Sequence, residues 1–147
     1  MDERGWSLLE LVVCGAILAL GALLVLPRPA QQLAERQLDY EAACLAAELR
    51  FLQDLSRDYP REELWGLSRA VMPELSIDTY QYYVYADGRS MLKHKAQPGV
   101  YYRYPHPTIV FSPSGDAEPV TIEIHLAESS RRVIVDRAGR IRTAGGD

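Results

Sequence analysis

The chain is poor in the residues that build covalent and metal-held scaffolds. Its 147 residues hold two cysteines, Cys14 and Cys44, and three histidines. On one continuous helix, about thirty positions at 1.5 Å each would set the two thiols roughly 45 Å apart. A disulfide tolerates a Cα separation of about 7 Å, so that geometry excludes an intrachain bridge. Cys14 reads as a small apolar packing residue and Cys44 as a free thiol, and neither reports a redox compartment. His94, His106 and His125 fall on a strand, between prolines, and on the polar face of another strand. None stands at ligand spacing with Cys, Asp or Glu, so no metal site is expected. The chain also lacks a glycine-rich phosphate loop and a nucleophile elbow. No catalytic constellation is found, the chain is not read as an enzyme, and no cofactor is expected. A formal net charge of −4 supplies no overall drive toward nucleic acid.

The last absence is local. Between Arg4 and Arg28 there is no lysine or arginine, and from Leu11 to Leu26 no charge of either sign. Counted from Trp6 to Leu26, this run is about the 20 residues that a helix needs to cross the hydrocarbon core of a bilayer. It holds Glu10 near its start. A carboxyl group at the end of a membrane helix costs a few kcal/mol and usually has a partner and a function. The segment offers none. The nearest cation would be a new amino terminus made by cutting the chain before Trp6. A secretory signal would be shorter, basic at its start, and end in small residues. A plain single-pass anchor explains the length but not the pairing of Gly5 with Glu10.

After the apolar run, Pro27 and Pro29 predict a kink or break. A helix resumes around Ala30. Its apolar stripe is Leu38, Ala42, Leu45, Leu49, Leu52, Leu55 and Tyr59, with Glu35, Asp39, Glu41, Glu48, Arg50, Asp54 and Arg57 mostly filling the other faces. Tyr59-Pro60 ends it. A straight helix from Trp6 to Tyr59 would be about 80 Å long. Residues 61–71 could form a short helix, with Trp65 capping the core, and 73–78 read as a loop. From Thr79 the period becomes two. Tyr80, Tyr82 and Val84 alternate with Gln81, Tyr83 and Tyr85. Asp87-Gly88 is a hairpin turn, and 89–94 the returning strand. Further strands are expected over 100–104, 108–112, 120–127, 131–136 and 139–143, with 144–147 as a frayed tail. A long helix followed by short antiparallel strands is an α+β layout, the stripe burying against one sheet face.

Gly5-Trp6-Ser7-Leu8-Leu9-Glu10 followed by the apolar run resembles the class III signal of type IV pilins and pseudopilins. The later strands, with Ile109-Val110-Phe111-Ser112-Pro113-Ser114-Gly115 and Gly139-Arg140-Ile141-Arg142, resemble the GspH/FimT branch of minor pilins and pseudopilins. They also resemble the corresponding minor pilin of competence systems. The resemblance implies a pilin-like α+β fold: a long N-terminal α-helix, half transmembrane and half amphipathic, packed on a small antiparallel β-sheet domain. It implies a leader over 1–5, a transmembrane helix over 6–29, an amphipathic helix over 30–59 and a β-rich domain over 60–147. A prepilin peptidase would cut between Gly5 and Trp6, and the new amino terminus on Trp6 would be N-methylated. Glu10 would pair with the terminal ammonium of a neighbouring subunit, or else sit at the headgroups beside its own amine. Trp6 stands where the family usually has Phe or Met, and the leader is less basic than the family norm. The implied partners are that peptidase, major and minor pilins or pseudopilins, the inner-membrane assembly platform and membrane lipid. The implied location is the plasma or inner membrane, with the C-terminal domain outside the cytoplasm, in or at the tip of a filament.

Arg131, Arg132, Arg137, Arg140 and Arg142 concentrate positive charge near the C-terminus. On one strand face Arg140 and Arg142 would lie about 7 Å apart, close to the phosphate spacing of a DNA strand. A Gly-Arg-x-Arg element of this kind resembles that of FimT-type minor pilins acting in DNA uptake. DNA is therefore the further partner weighed, with Arg140, Arg142 and Arg137 as its contacts. The alternative is a solvated edge strand whose charges prevent aggregation. A type II secretion pseudopilin, acting without DNA, and a single-pass anchored binding domain are the rival functions.

Overall fold

The computed structural model describes residues 3–25, 29–58 and 72–145, with side chains described over 10–21 and from 31 onward. The expected break at Leu26-Pro27-Arg28, the helix end at Tyr59-Pro60, and the short helix with Trp65 lie outside the described residues. Two compact units are present, Met1–Leu33 and Ala34–Asp147.

The first unit carries helix α1, Glu3–Val25. Its leucines and alanines favour the helical state, and no proline interrupts them. Helix α2 runs over Pro29–Asp58. Pro29 opens it, a place where its fixed φ and missing N–H cost nothing.

In the second unit α2 is amphipathic, and one stripe is driven inward. Leu38, Leu45, Leu49 and Leu52 are fully buried, with Ala42 and Ala46 between them. Leu55, expected on this stripe, is only half-buried. Ser56 is buried instead, its hydroxyl donating to the Leu52 carbonyl at 2.8 Å. A helical serine can bury itself in this way because the preceding turn supplies the acceptor.

Among the described residues eight strands follow, in two four-stranded antiparallel sheets. The first has the order β3-β2-β1-β5, from β1 (Glu74–Asp78), β2 (Gln81–Ala86), β3 (Arg89–Lys95) and β5 (Thr108–Val110). The second has the order β4-β6-β7-β8, from β4 (Val100–Arg103), β6 (Val120–Leu126), β7 (Ser129–Val135) and β8 (Ile141–Gly145). Stripe residues of α2 and the inward residues of both sheets form one hydrophobic cluster, in which Tyr82, Phe111, Ile122 and Ile124 are fully buried. The sheets also meet through the backbone, where the Tyr102 N–H donates to the Thr79 carbonyl at 2.8 Å.

Three expectations are corrected. Residues 74–78 are a strand, not a loop. β1 is an interior strand, pairing Leu75 with Val84 on one side and with Ile109 on the other. Its alternation is real, since Leu75 and Ile77 point inward, but a five-residue strand with acids at both ends gives a weak signal. Tyr80 is not in β2. It sits exposed in the turn, where Asp78 Oδ1 accepts from the Thr79 N–H at 2.7 Å. The tail is also paired: Ala144 opposes Arg132 and Gly145 opposes Arg131.

The Asp87-Gly88 turn forms as expected, with φ of 52° and 69°. Positive φ at both central residues matches the right-handed twist of the flanking strands. The β6–β7 hairpin makes its tight turn differently, with Ala127 at φ 53°. A non-glycine residue there is strained.

Candidate functional site: helix α1, a buried acid and an arginine-lined groove

Gly5 and Trp6 lie within α1, and the Trp6 side chain lies outside the described residues. Glu10 is exposed on α1 beside exposed apolar neighbours, among them Leu11 and Leu18, each 74% accessible. Among the described residues no helix is long and apolar enough to cross a membrane. The described side chains of α1 cover about 18 Å of helix, against a hydrocarbon core of about 30 Å.

The second unit contains a feature that sequence reading placed on the wrong face. Glu41 of α2 is fully buried, not solvated. Its Oε1 accepts from the Gln97 N–H at 2.9 Å, and its Oε2 from the Tyr102 hydroxyl at 2.9 Å. His94 Nε2 shares a further hydrogen bond with Oε2 at 2.8 Å, and the His94 ring stacks on Tyr82 at 4.8 Å. The carboxyl group thus ties α2 to β3, to β4 and to the backbone between them. Burial of an acid is tolerated when such donors surround it. Seven residues on, Glu48 faces the same layer. Glu48 Oε2 and the Tyr82 hydroxyl are buried without a hydrogen bond of good geometry. Burial pushes the Glu48 carboxyl above its usual 4.5, while the Tyr82 hydroxyl and His94 pull the other way. Burial likewise raises the Tyr82 and Tyr102 hydroxyls. Cys44, on this helix, is a half-buried free thiol.

The arginines divide by environment. β8 begins at Ile141, so Arg142 is on the strand but Arg140 is in the turn before it. The expectation of both on one strand face is corrected. Asp136 redirects Arg140: its Oδ1 accepts from the Arg140 N–H and its Oδ2 from Nε, both at 2.9 Å. The backbone N–H of Arg140, followed by its guanidinium, holds the Asp136 carboxyl below its ordinary range. Arg131 is engaged with Asp39 of α2, and Arg132 Nη2 donates to the Gly145 carbonyl at 3.3 Å. Arg137 and Arg142 are exposed.

An open groove of about 500 Å³ runs between the last turns of α2 and the β7–β8 turn. Arg50 and Arg57 line it from the helix, Arg140 and Arg142 from the hairpin, with Asp54 and Gln53 between. Asp54 is 3.5 Å from Arg57. Gln53 Nε2 donates to the Gly115 carbonyl at 2.8 Å and to the Gly139 carbonyl at 3.0 Å, fixing two turns to one helix position. Gly139 has φ 71°, and a Cβ on it would overlap the Gly115 carbonyl oxygen. The glycine before Arg140 is therefore required by packing. Sequence reading found the hairpin arginines but missed Arg50 and Arg57. Only the i, i+7 spacing of that pair on α2 could have pointed to a shared face.

Among the described residues no group of three or more His, Cys, Asp and Glu could hold a metal ion. No protein-family model and no curated protein sequence matches the chain. Among solved structures it is similar to the crystal structure of the type IV minor pilin FimU from Pseudomonas aeruginosa strain PAO1. The match has a TM-score of 0.55 at 15% identity and covers 73% of this chain and 92% of that one. At such identity the likeness is one of architecture. The helix, the two antiparallel sheets and their shared core give this chain the fold of a type IV minor pilin.

Proposed function

We propose that the chain is a minor subunit of a type IV pilus-like filament, cut by a prepilin peptidase between Gly5 and Trp6 and N-methylated on Trp6. The observation that carries this is the combination of a minor-pilin fold with Gly5, Trp6 and Glu10 at the head of α1. The cut creates an ammonium group, and Glu10 of one subunit pairs with that of a neighbour. Either charge alone in lipid is penalised, so the pair fixes the register of packing. The apolar run from Trp6 to Leu26 anchors the precursor in the membrane, with the C-terminal unit outside the cytoplasm. The assembly platform and neighbouring pilins are the partners. Mass spectrometry of protein coexpressed with the peptidase tests this. A chain beginning at methylated Trp6, and an uncut Gly5→Ala variant, are expected. A wild-type chain that keeps Met1 overturns the reading. Glu10→Ala should be cut normally but enter filaments poorly.

A second reading concerns DNA. Arg140 and Arg142, with Arg137 nearby, form a contact for a polyanion, supported by Arg50 and Arg57 across the groove. Four arginines, of which Arg57 is near Asp54 and Arg140 is paired with Asp136, leave a net positive groove that attracts phosphate without carrying sequence information. A type II secretion pseudopilin would share the helix and the cut but would not bind DNA. Titration of full-length protein in detergent with labelled DNA at several salt concentrations separates the two. Binding that survives Arg140→Ala combined with Arg142→Ala rules out this contact.

A further inference from the structure

The outward face of the second sheet is laid out by its register. Tyr101, His125 and Ser130 form one cross-strand row, Arg103, Glu123 and Arg132 the next, and Thr121, Ile134 and Arg142 a third. Their sequence neighbours Tyr102, Ile122, Ile124, Val133 and Val135 are buried on the opposite face. Two properties of the outward face stand together. At one end the rings of Tyr101 and His125 stack at 5.0 Å with planes 12° apart, and Tyr101 is exposed. Toward the other end the face carries Arg103, Arg132 and Arg142. Among the described strand residues of this face the acid is Glu123, engaged with its Oε2 3.2 Å from His125 Nε2. Strand rise and spacing put the ring pair roughly 16 Å from Arg142.

We propose that this face binds single-stranded nucleic acid, with a base stacking on the Tyr101–His125 pair and the backbone running past Arg103 toward Arg142. This rests on the DNA reading above and adds to it the strandedness of the ligand and the residues that read it. Every base presents a π face, so a flat ring pair accepts any of them, but only when the base is unstacked from its neighbours. In a duplex those faces are covered, and only the arginines can engage. A sheet whose outward face joins an exposed ring pair to a line of cations therefore favours the single strand.

The test is fluorescence anisotropy of full-length protein in detergent, with a labelled oligothymidylate and a duplex of equal length at low salt. The single strand is expected to bind about tenfold more tightly. Tyr101→Ala and His125→Ala should each weaken single-strand binding about tenfold and leave duplex binding unchanged. Tyr101→Phe should restore it. Arg103→Ala combined with Arg142→Ala should weaken both ligands. Both aromatic sites are on the surface, and circular dichroism checks that each variant is folded. Equal affinity for the two ligands, or single-strand binding unaffected by the aromatic variants, overturns the platform and leaves the DNA reading standing. Absence of binding to either ligand removes both.

Discussion

Replacing Glu41 by alanine is the sharpest perturbation of this fold. The substitution deletes an acceptor that serves three groups: the Gln97 N–H, the Tyr102 hydroxyl and His94 Nε2. A buried donor left without a partner costs about 1–3 kcal/mol. Relief of carboxyl desolvation offsets part of this, and the net cost of breaking such a buried cluster from one side is about 3–5 kcal/mol. For a unit the size of Ala34–Asp147, each kcal/mol corresponds to about 4 °C in Tm, so a fall of about 12–20 °C is expected. Glu41→Gln keeps one acceptor oxygen and should lose less than half as much. Thermal and urea unfolding followed by circular dichroism give both numbers. A double-mutant cycle with Tyr102→Phe should show a coupling of at least about 0.5 kcal/mol, as expected of groups in one network. Were Glu41→Ala to lose less than about 1 kcal/mol, or the cycle to show no coupling, Glu41 would not be the tie between helix and strands.

Three further outcomes follow from local geometry. Glu48→Gln should raise Tm at pH 7. The folded-state pKa of Glu48 is raised, so its ionisation opposes folding as pH climbs above about 4.5, and the gain should shrink toward pH 4. An equal gain at both pH values would rule out this cause. Gly139→Ala should cost about 2 kcal/mol or more, since it adds a Cβ against the Gly115 carbonyl to a positive φ; a denaturant midpoint equal to wild type would contradict that. Ala127→Gly should stabilise by about 0.5 kcal/mol, because glycine accepts φ 53° without strain, and a lower Tm would argue against strain at this turn.

Residues whose structure is dictated locally were readable from the chain. Asp87-Gly88 specified its hairpin, and the spacing of Leu38, Ala42, Leu45, Leu49 and Leu52 specified the buried side of α2. Glu41 and Glu48 share that side by spacing, each three residues after a buried leucine. Their polarity argued for solvent, and the donors that make burial of Glu41 tolerable come from residues more than fifty positions away. β1 was hidden for a similar reason: five residues bounded by acids make a central strand only once β2 and β5 flank them. The hairpin arginines were visible as a cluster, but their directions were not, since Asp136 decides where Arg140 points. The i, i+7 spacing sets Arg50 and Arg57 on one side of α2, but that this side borders the β7–β8 turn depends on tertiary packing.

The Gln53 amide has a consequence for how such a molecule can change over generations. Surface connections ordinarily tolerate gain or loss of residues. Here the bends at 112–116 and 136–140 are riveted to a single nitrogen, each through one carbonyl. An insertion in either bend would pull its carbonyl off the rivet and loosen the other. Their lengths are therefore free to vary only in concert, and diversification should be found instead at the unriveted tips, such as that at Asp87-Gly88.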